Sequence, residues 1–163
     1  MFRFMRYSGL YWCWISLLSM LLDVISKKLV LANIMLYESK PLMPFINLFF
    51  SRNYGAAFSL FSNSNGWQHW VMIIATFVII SIILRIMYDS KSYPNFNNIS
   101  YALLLGGAVG NLFDRIFHGF VIDFIDLHIE NWHFPTFNIA DSCISIATFL
   151  LGIKYLFNHT TDK

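Results

Sequence analysis

WQHWVMIIATFVIISIIL, Trp67 to Leu84, runs for 18 residues without a charged side chain. At about 1.5 Å of rise per residue, a helix of this length approaches the roughly 30 Å hydrocarbon core of a bilayer, so the stretch reads as a membrane span. Three further apolar stretches flank it: Leu10 to Leu31, Ile99 to Phe113, and Ile139 to Phe157. The whole chain agrees with them. It is 57% hydrophobic and 12% charged over 163 residues, whereas soluble domains carry about 25% charged residues. The expected class is an all-α integral membrane protein, one domain over residues 1–163 with four transmembrane helices.

Composition excludes other classes. A net charge of +2 from scattered Lys and Arg gives no basic patch for nucleic acid. Cys13 and Cys143 lie in apolar runs and read as small hydrophobes, not a disulfide framework. Arg3 and Arg6 precede the first apolar run as in a signal peptide, yet no small-x-small site occurs before Asp23, and Tyr11 and Trp12 are bulky. The segment is expected to stay as the first span.

Four spans put both termini on one side, and the distribution of Lys and Arg orients them. Arg3, Arg6, Arg85, Lys91, Lys154 and Lys163 fall on the side expected to be cytoplasmic, against Lys27, Lys28, Lys40, Arg52 and Arg115. Setting Lys27 and Arg115 aside as site residues widens the margin. Ala32 to Gly66 and Arg115 to Asn138 then face the exterior. In the first, Leu42 to Phe50 reads as a strand or interface-lying segment. The second, with Val121 to Leu127 and then Trp132 and His133, is expected to be a loop on the membrane surface.

Polar residues in such a chain need reasons. A carboxylate near the bilayer core costs about 2.5–3.5 kcal/mol on insertion scales. Asp23 and Lys27, four apart, have the favourable order for an intrahelical pair, which is as consistent with a neutralised helix end as with support of a site. Asp114 beside Arg115 reads as a local ion pair, with Asn111 one turn earlier. Asp141 opens the last apolar run, where a carboxylate or Asn138 can cap a helix. A cap alone would leave Asp123 without a partner, so Asp123 and Asp141 are expected to form a catalytic pair.

Two close carboxylates share a proton, one acting as base toward water and the other as acid toward a carbonyl oxygen and the leaving amine. That chemistry asks for no cofactor. The five histidines show no metal-binding motif: His128 and His133 sit five apart in the expected loop, and His69, His118 and His159 are widely separated.

The chain also resembles the lipoprotein signal peptidases, or signal peptidase II. The matching blocks are Asp23-Val-Ile-Ser-Lys27, Arg52-Asn53-Tyr54-Gly55-Ala56-Ala57-Phe58, Gly106-Gly107-Ala108-Val-Gly110-Asn111-Leu-Phe-Asp114-Arg115, Val121-Ile-Asp123-Phe124-Ile-Asp126, and Phe137-Asn138-Ile-Ala140-Asp141. The family pattern usually has Gln where this chain has Val24, and often Tyr-Asn-Thr-Gly where it has Arg52-Asn53-Tyr54-Gly55. The resemblance implies a bacterial inner-membrane aspartic endopeptidase that acts on diacylglyceryl-modified prolipoproteins, cutting just before the lipidated cysteine. Asp123 and Asp141 fall on its catalytic positions. Asn53, Asn111, Arg115 and Asn138 fall on positions that hold substrate or the pair; Asp23, Lys27, Gly107, Asp114 and Ala140 are expected to support the site. Lipidated precursor and membrane lipid are the expected partners, and one chain the working unit. The alternative from a different class is a small proton-coupled transporter or channel subunit relaying protons through Asp23, Asp114 and Asp141; a structural scaffold is a third.

Overall fold

The computed structural model describes residues 8–55, 67–93 and 96–160. Arg3, Arg6, Lys163 and the Ala56-Ala57-Phe58 part of the second motif lie outside them. Four long helices carry a small sheet at one end. After a 3-10 turn at Gly9–Trp12 come α1 (Cys13–Asn33), α2 (Trp67–Asp89), α3 (Phe96–His118) and α4 (Ile139–Thr160). The strands are β1 (Ser39–Met43), β2 (Ile46–Asn53), β3 (Val121–Ile129) and β4 (Trp132–His133), antiparallel in the order β1-β2-β3-β4.

Polarity is inverted relative to a soluble fold. Leu17, Leu18, Leu21, Leu22 and Ile25 on α1, and Ile74, Phe77, Val78 and Ile82 on α2, face outward. Asp23, Lys27, Asn98, Asn111, Asp114 and Asn138 are buried. An apolar surface around a polar interior suits hydrocarbon as the surrounding solvent. By length and composition, α2 and the Ile139–Phe157 part of α4 are apolar enough to cross a membrane. In α1 the charges of Asp23, Lys27 and Lys28 interrupt the apolar run, and α3 carries Asp114 and Arg115.

α3 is longer than its apolar run. It continues to His118 because Asp114 finds partners inside the bundle instead of ending the helix. Glycine permits the close approaches that bring those partners near. A Cβ at Gly107 would come within 2.5 Å of the Ala140 carbonyl on α4, and one at Gly110 within 2.7 Å of Asp23 Oδ2 on α1. Gly106 lies against Ser16 and Ser19 of α1 in the same way. The small-residue stripe thus seats α3 against α1 and α4 together.

The segment expected as a surface loop is a strand. β3 pairs with β2, setting Ser51 opposite Asp123 and Asn53 opposite Val121, with a bulge between Leu48 and Ser51. Leu42 to Phe50 belongs to the β1–β2 hairpin. Val30, Ile34, Phe50, Ile122 and Phe124 form the apolar core between α1 and the sheet. At the opposite end of the bundle, Ile83, Met87, Ala102 and Leu105 form a second core. Cys13 and Cys143 are free thiols on different helices.

Candidate active site

Asp123 lies on β3 and Asp141 in the first turn of α4, and both line one cleft of about 560 Å³. Asn53, Asn111 and Arg115 line it too, with Phe134, Pro135 and Phe137 among its apolar walls. A backbone clasp brings the two carboxylates to one place. Phe137 exchanges hydrogen bonds with Ile125, donating at 3.1 Å and accepting at 2.8 Å, and also accepts from Phe124 N at 3.0 Å. Asn138, the next residue, is thereby held beside Asp123.

Asn138 joins the pair. Its Nδ2 donates to Asp123 Oδ1 at 2.8 Å. Its Oδ1 accepts from the Asp141 backbone N at 2.9 Å, while its own N donates to Asp141 Oδ2 at 3.3 Å. That reciprocal exchange is a capping box. Capping and site membership are therefore compatible in Asp141: Oδ2 closes the helix start and Oδ1 accepts from Asn111 Nδ2 at 2.8 Å. Asp123 Oδ2 accepts from Asn53 Nδ2 at 3.0 Å, and Asn53 Oδ1 accepts from Gly55 N, which fixes the direction of its amide.

Beneath the pair lies a buried charge cluster. Lys27 Nζ is 2.6 Å from Asp23 Oδ2, 2.8 Å from Asp114 Oδ2 and 3.0 Å from Asn111 Oδ1. The expected Asp23–Lys27 pair is present but is only part of the arrangement. The expected Asp114–Arg115 pair does not form; Asp114 instead holds Lys27 and accepts from Ile122 N at 3.1 Å. Arg115 donates to the Gly55 carbonyl at 3.2 Å and to the Asn111 carbonyl at 3.3 Å, leaving its charge facing the cleft. Asp23 Oδ1 accepts from Ala140 N at 2.8 Å, so the cluster also holds the start of α4. Each buried charge needs such partners, because an unpaired one costs several kcal/mol.

Asp123 is 3% exposed. Burial first, and the Asp141 charge second, push its carboxyl from 3.8 up to about 7, against the hydrogen bonds from Asn53 and Asn138, which lower it. An elevated carboxyl beside a second carboxyl can supply a proton near neutral pH while its neighbour receives one.

Sequence reasoning missed Asn47 and His133 as partners of Asp126. Asn47 Nδ2 donates to Asp126 Oδ2 at 3.1 Å, and His133 Nδ1 lies 2.8 Å from Asp126 Oδ1. His128 and His133 stack across β3 and β4 at 5.4 Å between ring centroids. Ser51 and Thr136 also share a 2.8 Å hydrogen bond that ties β2 to the segment before Asn138. Only strand register reveals these partners.

A family model described as signal peptidase (SPase) II matches residues 15–157. The lipoprotein signal peptidase of Serratia proteamaculans is 47% identical over 147 residues, covering 90% of this chain and 87% of that one. That of Photorhabdus laumondii is 48% identical over 146 residues, with 90% and 87% covered. That of Salmonella newport is 46% identical over 156 residues, with 96% and 94% covered. Among solved structures, a bacterial membrane enzyme superposes with a TM-score of 0.83 at 30% identity, covering 94% of this chain and 92% of that one.

Proposed function

The chain belongs to the signal peptidase II family, and from that premise we propose how its residues release the signal peptide from a prolipoprotein. It is a membrane aspartic endopeptidase, and Asp123 and Asp141 are its catalytic pair. The observation that carries this reading is the shared cleft in which Asn138 hydrogen-bonds both carboxyls. One carboxylate takes a proton from water as the water oxygen attacks the scissile carbonyl carbon. The other gives its proton to the carbonyl oxygen. When the tetrahedral intermediate collapses, the first returns its proton to the leaving nitrogen.

Arg115 and Asn53 hold the substrate backbone at the rim, and Asn111 and Asn138 hold the pair. The diacylglyceryl-modified cysteine follows the scissile bond, and its acyl chains remain in lipid. Anchoring both halves of the substrate in one membrane supplies positioning that the site itself need not provide. The apolar walls Ile144 and Ile146 beside the pair suit a ligand that arrives from hydrocarbon.

All four helices span the bacterial inner membrane, residues 1–163 forming one domain. The turning of Asp23 and Lys27 inward, behind an outer face of Leu17, Leu21, Leu22 and Ile25, supports this for α1. The sheet end faces the periplasm and both termini the cytoplasm, as the Lys and Arg count supports. One chain is the proposed working unit.

The test uses full-length protein in liposomes with a lipidated precursor. Asp123→Asn and Asp141→Asn should each insert, bind precursor and fail to cleave; substantial cleavage by either would remove that residue from the chemistry. Reporter fusions after Glu130 and Ser90 should lie on opposite sides of the membrane, with Glu130 outside. Both on one side would break the proposed topology.

A further inference from the structure

An aspartic pair needs one neutral and one ionised carboxyl, and the surrounding donors are not placed evenly about Asp123 and Asp141. Asn111 is the pivot. Its Oδ1 lies 3.0 Å from Lys27 Nζ and 3.2 Å from Asn138 Nδ2. An ammonium can only donate, so the amide oxygen must face Lys27 and the amide N–H2 must face Asp141. Reversing the amide would oppose two donors in a buried site. Asp141 Oδ1 therefore accepts from Asn111 at 2.8 Å, and Oδ2 accepts from the Asn138 backbone at 3.3 Å. The helix N-terminus adds a positive end of the macrodipole at the same carboxylate.

Asp123 has a weaker claim on negative charge. Besides Asn53 Nδ2 at 3.0 Å, its donor is Asn138 Nδ2, 2.8 Å away, which is shared with the Asn111 oxygen at 3.2 Å and the Ile122 carbonyl at 3.3 Å. It is almost wholly buried, whereas Asp141 is only partly so. Lys27 opposes this order by its charge, which favours an ionised Asp123, and supports it through Asn111. Arg115, reaching in from α3, lines the cleft beside both carboxyls. Asp114 and Asp23 are engaged by Lys27.

Resting on the reading of these residues as the catalytic pair, we infer that Asp123 holds the shared proton at rest, that Asp141 is the base toward water, and that Lys27 fixes this order as a positioning residue acting through Asn111. The elevated carboxyl of Asp123 agrees with the assignment. The water oxygen bonds to the scissile carbon as one water proton moves to Asp141 and the Asp123 proton moves to the carbonyl oxygen. The intermediate then carries two hydroxyls. One of them returns its proton to Asp123 as the C=O bond re-forms, while Asp141 gives its proton to nitrogen and the C–N bond breaks. Both carboxyls end as they began.

Infrared spectra of the full chain in bilayers, in mildly acidic buffer, test the proton order without requiring turnover. The wild-type minus Asp123→Asn difference spectrum should show a protonated-carboxyl band, and the wild-type minus Asp141→Asn difference should show none. Any other pattern overturns the assignment. Because no cleavage is read, failure here is distinct from failure of the peptidase reading.

Lys27→Met combined with Asp114→Asn removes the donor to Asn111 while keeping the net charge of the cluster. Its kcat should fall about 10- to 100-fold, as expected for loss of a charge-assisted hydrogen bond, with KM unchanged. Asp114→Asn alone, which keeps the ammonium on Asn111, should lose less. Should the pair fail to insert, Asn111→Ala reads the same link and should show the same kcat-weighted loss. Wild-type kcat, or a loss wholly in KM, overturns the role of Lys27.

Discussion

The two ends of the helix bundle solve burial in opposite ways. At the end away from the sheet, Ile83, Met87, Ala102 and Leu105 pack as an apolar core, and buried Asn98 donates to the Lys91 and Tyr93 carbonyls, holding the turn between α2 and α3. At the sheet end, beside the apolar core under the strands, the helices also meet through Lys27, Asp23, Asp114, Asn111 and Asn138. Apolar packing holds helices at a distance; a polar network also fixes the direction of each donor and acceptor. Burial at the first end supports the fold, and at the second it orients the groups around the proposed catalytic pair.

The largest break in this comparison should come from the carboxyl pair. Asp123→Asn or Asp141→Asn should reduce cleavage by at least about 10³-fold, since each removes a proposed general acid or base. The double variant should be no worse, because the two act as one unit. Cleavage assays on lipidated precursor, with insertion checked separately, read this. A further large loss in the double variant would mean the residues act independently.

Next comes the close approach that serves the polar end. Gly110→Val should displace Asp23 from Lys27 and cost about 1–3 kcal/mol as overpacking, with activity lost beyond what the folded fraction explains. Thermal unfolding and cleavage, measured on the same sample, separate the two. Equal losses in both would reduce Gly110 to a packing residue.

A smaller effect should appear with pH. Asp123 lies at about 7 when folded, above its ordinary 3.8, so the stability from its neutral form is whole below the ordinary carboxylate range and is lost as pH rises through 7. Cleavage should decline over the same rise as the acid loses its proton. Asn53→Ala removes a hydrogen bond that lowers this value, and should move the decline to higher pH. A pH–rate profile checks both, and a shift downward would contradict the contact.

The smallest effect on chemistry should come from the apolar end. Met87, fully buried, should cost about 2–5 kcal/mol when replaced by Ala, from lost packing and the cavity left behind. The turnover of the protein that remains folded should not change. Altered kcat in that variant would show the two ends to be coupled.

Much of the architecture was legible because hydrocarbon imposes simple rules. Trp67 to Leu84 could be read from the absence of charge, and each of the four apolar runs falls on one long helix, the first beginning in the 3-10 turn before α1. Asp123 and Asp141 stood out because carboxylates in such surroundings require partners. The partners themselves were not legible. Lys27 has a plausible partner four residues back, and nothing local signals that it also reaches Asn111, 84 residues away. Asp114 has Arg115 beside it, yet its ion pair is with Lys27. β3 was hidden for another reason: Val121 to Phe124 are buried in succession, since the sheet core covers one face and the helices the other, so the alternation that marks a half-exposed strand is missing.

The Asp23–Lys27 pair has a further consequence for how the protein is made. In the proposed four-span topology, synthesis delivers α1 to the membrane long before Asn111 and Asp114 exist, so two charges must wait in a nascent chain for partners from a later helix. Spacing of one helical turn lets them neutralise one another meanwhile. Asp23→Asn should therefore reduce the insertion of α1 itself, measurable in chains that end before α3, whereas Asp114→Asn cannot affect that step. The same ion pair that later anchors the finished site thus serves first as a self-contained passport for the opening helix.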